Sequence, residues 1–359
     1  MHDLIVVGAG PVGSYLASLC SSGMKVMVLE EHPEAGNKAC SGLVSGRLKS
    51  ILPANVARTP GLFQHAVKAA LIHFMGSELE VRKKTAAAYV IDRDLLDKNL
   101  AEHAESMGCE VRFGERVGKI SVLKDRVSVR TGGNAFESKA VAGCDGANSI
   151  TARCIGARPA EILNGLILYE DAEDRSDRVE MWFDRKLVKD GFLWRIPRGS
   201  QTEYGGMGSN LSFPILDKFF GTGKKRIAGR RASPIPVGIV KTYADRVLLA
   251  GDSACQTKPW SGGGITYGLL SAKAASDVIS RAVEKDDFSA RLFSEYETLW
   301  KKLLIRDIQA GLVFRDMYRE MKEDDMAEML KNMESLKGMA DMIDFDFPFT
   351  GILGDLIGA

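Results

Sequence analysis

Short apolar runs, each closed by glycine or an acidic residue, punctuate the chain from its first residues onward. Leu4-Ile5-Val6-Val7 is apolar without alternation, which predicts a strand buried on both faces. Residues 14–19 read as a helix, Gly23 breaks it, and residues 25–29 form a second apolar run ending at Glu30. Residues 43–51 are helix-like. Strand patterns follow at 65–75 and 79–83, joined around Gly76-Ser77, which predicts a hairpin. Tyr89-Val90-Ile91 is a further strand, and Asp92 and Asp94 mark a helix start ahead of Leu95, Leu96, Leu100 and Ala104 at helical spacing. Strands are expected at 109–113, 120–122 and 127–129, the last two paired around Lys124-Asp125. Residues 166–208 are strand-rich and aromatic, the composition of a sheet lining an apolar cavity. A third apolar strand ends at Asp252, a small-residue helix spans 271–282, and residues 285–340 read as amphipathic helices.

These shifts divide the chain into three parts. A discontinuous nucleotide-binding domain is expected over 1–62, 85–160 and 235–285, a substrate-binding sheet domain over 63–84 and 161–234, and a C-terminal helical region over 286–359.

Gly8, Gly10 and Gly13 stand at G-x-G-x-x-G spacing between the first strand and its helix, with Pro11 inside the motif. The first glycine permits a tight turn, the second lets a pyrophosphate approach the backbone, and the third lets helix and strand pack closely. The helix N-terminus presents free N–H groups to phosphate. Glu30, about 20 residues on, is placed to accept hydrogen bonds from a ribose. This unit alone predicts an ADP-containing dinucleotide, either FAD or NAD. Two later turns, Gly143-Cys144-Asp145-Gly146 and Gly251-Asp252 with Pro259-Trp260-Ser261-Gly262-Gly263-Gly264-Ile265, close strands in the same manner.

Composition narrows the classes. The 48 Lys and Arg nearly balance the 47 Asp and Glu, which gives no reason to expect a nucleic-acid partner. The six cysteines are scattered singly with no C-x-x-C pair, so no metal site is expected and the thiols read as reduced. The first strand follows the initiating methionine closely, leaving no room for a signal peptide, and no apolar run reaches the roughly 20 residues of a membrane span. A cytoplasmic protein is expected, with peripheral membrane contact open because 299–321 mixes apolar and cationic residues.

Three landmarks in this order resemble the glutathione-reductase-like FAD fold of flavin monooxygenases and their relatives. That resemblance implies an α/β architecture, an FAD-binding Rossmann domain with an inserted antiparallel β-sheet substrate domain and C-terminal helices. Within that superfamily the chain is similar to the geranylgeranyl reductase family. Lys38-Ala39-Cys40-Ser41-Gly42 resembles its Cys-Gly loop beside the flavin, with Ser41 intervening. Gly191-Phe192-Leu193-Trp194-Arg195-Ile196-Pro197 is similar to its Tyr-x-Trp-x-Phe-Pro motif, and also resembles the Trp-x-Trp-x-Ile-Pro motif of flavin-dependent halogenases.

By this correspondence Gly8, Gly10, Pro11, Gly13, Glu30, Ala39, Cys40, Gly42, Arg93, Val117, Asp252, Gly264 and Ile265 would hold FAD. Asp145 would support the cofactor's centre, and Cys40 and Trp194 would stand closest to the chemistry. The implied reaction is reduction of isoprenoid double bonds, on prenyl glycerophospholipids in membrane lipid biosynthesis. The alternatives are a monooxygenase or halogenase and a quinone-linked electron-transfer flavoprotein. Gly205-Gly206-Met207-Gly208 lacks the flanking strand, helix and acid of a second dinucleotide unit. The electron donor is therefore expected to be a transient visitor, a ferredoxin-like protein or NAD(P)H.

Overall fold

The computed structural model describes residues 1–74, 77–322, 325, 341 and 344–349. The chain opens with β1 (His2–Val7), α1 (Pro11–Cys20) and β2 (Val26–Leu29), then β3 (Leu43–Val44) and two single turns, α2 (Leu48–Ile51) and α3 (Ala54–Ala57). β4 (Phe63–Val67), β5 (Ala69–Phe74), β6 (Ser77–Arg82) and β7 (Ala88–Ile91) precede α4 (Arg93–Ser106). β8 (Glu110–Arg112), β9 (Lys119–Val122), β10 (Val127–Arg130), β11 (Ala135–Gly143) and α5 (Ile150–Cys154) complete the first half. The second half runs β12 (Glu161–Glu170), β13 (Arg178–Phe183), β14 (Phe192–Pro197), β15 (Thr202–Gly208), α6 (Phe213–Phe220), β16 (Ile227–Val237), β17 (Tyr243–Ala244), β18 (Val247–Leu249), α7 (Ile265–Lys285) and α8 (Ala290–Glu320).

The first sheet has the order β17-β18-β11-β1-β2-β8, with β18, β11, β1, β2 and β8 parallel. The unbroken apolar run of β1 has a direct cause. Leu4 and Val6 join the core under α1, α4 and α7, while Ile5 and Val7 face Val127 and Val129 of the β9–β10 layer. Both faces are covered, so alternation would leave polar groups buried without partners.

The second sheet, β16-β12-β15-β14-β13-β5-β6, is antiparallel except where β13 meets β5. Its strands from β12 to β16 lie in the chain between β11 and β18, which are neighbours in the first sheet. One face packs on α6 through Leu166, Leu168, Tyr204 and Leu216. The opposite face carries Leu163, Phe192, Trp194, Met207 and Ile235, with Leu312 of α8 packed on it.

Two expected elements differ. The apolar stretch at 65–75 is two strands broken at Lys68. Lys68 and Ala69 N–H both bond Asp177 O, so β5 turns into the large sheet while β4 pairs with β7 in a separate three-stranded sheet. Residues 43–51 open as a strand, because Leu43 and Val44 pair with β7 before α2 begins. The expected turn at Gly76, the helices beyond 322 and most of the tail fall outside the described residues.

Candidate active site

Three glycines shape the first end of the site, and geometry separates their roles. Gly8 has φ +98°, and a Cβ there would sit 2.5 Å from Cys144 O. A Cβ on Gly13 would sit 2.0 Å from Gly8 O, so α1 can lie on β1 only if residue 13 is glycine. A Cβ on Gly10 would meet no protein atom within 4 Å. The fold therefore requires Gly8 and Gly13 but not Gly10, which fits a position kept small for a pyrophosphate. Pro11 at the first helical position, where an N–H has no intrahelical partner, leaves the next amides free.

Glu30 is almost fully buried at the end of β2. Burial alone would raise its pKa. The N–H groups of Ala9, at 2.8 Å, and His32, at 3.1 Å, together with the His32 ring, outweigh burial and hold it below the ordinary 4.5. A depressed acid stabilises the fold above its unfolded pKa and loses that contribution as pH falls through the folded value. The stability difference between wild type and Glu30→Gln should therefore shrink as pH drops below about 4.5 in acid titrations followed by circular dichroism. Val117, half-buried against the cluster that includes Ile5 and Met27, lies two residues beyond Glu115, whose N–H bonds Glu30 O at 2.7 Å.

At the other end, Gly251 and Gly268 both close on Val12, which places Asp252 beside the start of α1. Asp252 receives no hydrogen bond to its carboxylate among the described residues. Burial raises its pKa against the pull of Arg93. Asp252 is half-buried, so its carboxylate is left open to a ligand hydroxyl, which fits a ribityl chain. Gly264 caps α7, and a Cβ there would come within 2.8 Å of Asp252 Oδ1; Ile265 follows as the first helical residue. Arg93, the first residue of α4, turns inward: it grips Asp97 through three bonds of 3.1–3.2 Å and lies against the Cys40 sulfur. Cys40, half-buried, also accepts the Gly42 N–H at 3.4 Å. Gly42 has φ +65°, and its α-carbon lies too near Ile91 O to carry a side chain. Ala39 is half-buried in the same loop.

Asp145 departs from expectation. Its carboxylate is consumed by Ser149, the N–H groups of Ile150 and Thr151 at 2.8 and 3.0 Å, and Thr151 Oγ1, so it caps α5 and has little left for a cofactor.

The second sheet supplies the facing wall. Trp194 Nε1–H donates to Glu203 at 2.8 Å, and its ring lies over Gly205, where a Cβ would be 2.5 Å away. Glu203 is fully buried; burial raises its pKa against the bonds from Arg198 and Trp194. Arg198 Nη1 bonds both Glu203 and Ser41 O at 2.8 Å, and its Nη2 bonds Ile91 O at 3.0 Å. One guanidinium thus ties the Cys40 loop, the end of β7 and the second sheet together. Gly262 meets the same face at Ile235 and Met207. Behind it, Lys258 is buried against Asp346 at 2.8 Å, and Arg315 of α8 holds Pro259 O at 3.3 Å. Burial lowers the Lys258 pKa despite Asp346.

Cys40, Arg93, Trp194 and the pair Asp252 and Gly264 therefore come from four separate chain segments to one region, with Gly10 and Glu30 on the adjoining stretch. Arg198, Glu203 and Lys258 carried no local signal. Asp97 did, as an acid four residues after Arg93 on one helix face.

Residues 1–165 match the FAD binding domain family. The chain is 28% identical to digeranylgeranylglycerophospholipid reductase of Methanocaldococcus jannaschii, over 94% of this chain and 92% of that one. It is 27% identical to digeranylgeranylglycerophospholipid reductase 2 of Methanothermobacter thermautotrophicus, covering 93% and 92%. The similarity to these two reductases runs along nearly the whole chain, well past the FAD binding domain. The chain's fold superposes on a geranylgeranyl bacteriochlorophyll reductase-like protein of Thermoplasma acidophilum with a TM-score of 0.83, at 22% identity and over 99% and 95% of the two chains. The cofactor is FAD, and both the Gly10 approach and the unpartnered Asp252 suit it.

Proposed function

We propose that this protein uses reduced FAD to hydrogenate isoprenoid double bonds on prenyl glycerophospholipids. The observation that carries this reading is the similarity to digeranylgeranylglycerophospholipid reductases along more than nine-tenths of the chain, second sheet included. When bound, FAD supplies the hydride. The remaining work belongs to the protein. Gly8, Gly10, Pro11, Gly13 and Glu30 hold the ADP half; Ala39, Cys40, Gly42, Arg93, Val117, Asp252, Gly264 and Ile265 hold the remainder. The first sheet with its helices is the cofactor domain and the second sheet the substrate domain. Phe192, Trp194, Met207 and Ile235 offer an apolar wall that keeps an alkene in register and excludes water. An unactivated alkene gives an acid little to grip, so positioning dominates the rate. Anaerobic mixing of the dithionite-reduced holoprotein with a geranylgeranyl glycerophospholipid tests the reading: flavin should re-oxidise in step with lipid saturation. Running the reductive half-reaction with a ferredoxin and with NADPH in turn identifies the donor.

No helix among the described residues is long and apolar enough to cross a membrane. The substrate still has to leave a lipid layer, and α8 offers a surface for that. Leu303, Val313 and Met317, 48%, 58% and 52% exposed, share one side of α8 with the exposed Arg306. Such a mixture suits an anionic lipid surface. Replacing all three with aspartate should abolish co-sedimentation with anionic liposomes while FAD binding persists. Truncation after 285 would be a poor test, since Phe293, Tyr296 and Trp300 of α8 are core residues.

A further inference from the structure

Reduction of an alkene needs a proton as well as a hydride, and few groups on this face can give one. Trp194 N–H is committed to Glu203, and Glu203 is fully buried between Trp194 and Arg198. The Cys40 sulfur accepts the Gly42 N–H and is faced by Arg93. Tyr169 remains. It sits on β12 directly across from Glu203 on β15, on the face of the second sheet that carries Trp194. The pairing of β12 with β16 slips between Tyr169 and Glu170, the kind of bulge that re-aims a side chain beside a site.

Two guanidiniums flank the Tyr169 ring, Arg198 at 5.5 Å and Arg231 at 5.7 Å from its centroid. These same arginines hold the two sides of Cys40: Arg198 bonds Ser41 O, and Arg231 bonds Lys38 O at 3.4 Å while anchored on Asp94. Tyr169 is therefore clamped against the Cys40 loop by the residues that fix that loop. Its hydroxyl has no hydrogen-bond partner among the described residues.

We propose that Tyr169 is the proton donor in alkene reduction. This rests on the reading given under Proposed function. Hydride from the reduced flavin forms one C–H bond, while the alkene's π pair takes the phenol proton at the neighbouring carbon. The phenol O–H bond breaks, the flavin is oxidised, the alkene is reduced, and the phenolate regains its proton from water. Burial and four groups set the acidity: burial first, then Glu203, with Cys40 adding a little, keep the phenol protonated at rest, and Arg198 and Arg231 oppose them and steady the anion left behind.

The test uses FAD-loaded, dithionite-reduced protein and a geranylgeranyl glycerophospholipid under anaerobic conditions. Tyr169→Phe should bind FAD and accept dithionite electrons like wild type, yet saturate the lipid about 10²–10⁴-fold more slowly. An ultraviolet tyrosinate titration of wild type minus variant should show one phenol ionising above the ordinary 10.0. A variant that works at the wild-type rate, or a difference titration at or below 10.0, overturns the proposal while leaving the reductase reading intact. A wild-type protein that reduces no alkene overturns both.

Discussion

Replacing Arg198 with alanine should cost about 3–5 kcal/mol of stability, the largest loss expected from any single side chain around the site. Glu203 side-chain exposure is 0% and that of Arg198 is 9%, so the truncation strands a buried carboxylate whose other donor is the Trp194 N–H. It also frees Ser41 O and Ile91 O, loosening the Cys40 loop from the second sheet. Urea denaturation should show a lower midpoint with an unchanged slope. The double replacement Arg198→Met with Glu203→Leu should recover part of the loss, because an apolar pair of similar volume removes the stranded charge while the Trp194 N–H, Ser41 O and Ile91 O stay unpaired. An unchanged midpoint in the single variant would show that this pair does not bear the load assigned to it.

The second large effect separates fold from cofactor. Gly13→Ala places a Cβ 2.0 Å from Gly8 O, a backbone atom that cannot move without parting α1 from β1. Thermal melts should show severe destabilisation or no folded protein. Gly10→Ala meets nothing within 4 Å, so its apoprotein should melt like wild type. Its affinity for FAD should fall more than tenfold, about 1.4 kcal/mol or more, as measured by flavin fluorescence titration. Equal FAD affinity in Gly10→Ala and wild type would remove the pyrophosphate from this turn.

What the sequence disclosed follows from how far each cause reaches along the chain. The βαβ unit was legible because its strand, glycines, helix and acid are consecutive and each answers to a local constraint. Asp145 and Asp252 look alike in sequence, each closing an apolar strand at a glycine turn. Only the three-dimensional surroundings separate them: Asp145 faces the free N–H groups of α5, whereas Asp252 faces none. Arg93 sits at a helix start where an exposed arginine would be unremarkable, and its burial is set by Asp97 one turn on and Cys40 more than fifty residues earlier. The clamp of Arg198, Glu203 and Trp194 joins neighbouring strands to a loop more than 150 residues upstream, and nothing local marks it. The break at Lys68 was hidden for a similar reason: two strands of like composition run on without a glycine or proline, and only Asp177 in another segment divides them.

The central claim is that this chain saturates isoprenoid double bonds with reduced FAD, and one measurement bears on it most directly. The purified holoprotein, reduced with dithionite in the absence of oxygen, is given a geranylgeranyl glycerophospholipid, and the recovered lipid is weighed by mass spectrometry. The predicted result is a ladder of products, each heavier by two hydrogens per double bond reduced, formed in step with flavin re-oxidation. Unaltered lipid from fully reduced holoprotein, with the flavin re-oxidising only when oxygen is admitted and oxygen then entering an added aromatic substrate, would contradict it and make the protein a monooxygenase.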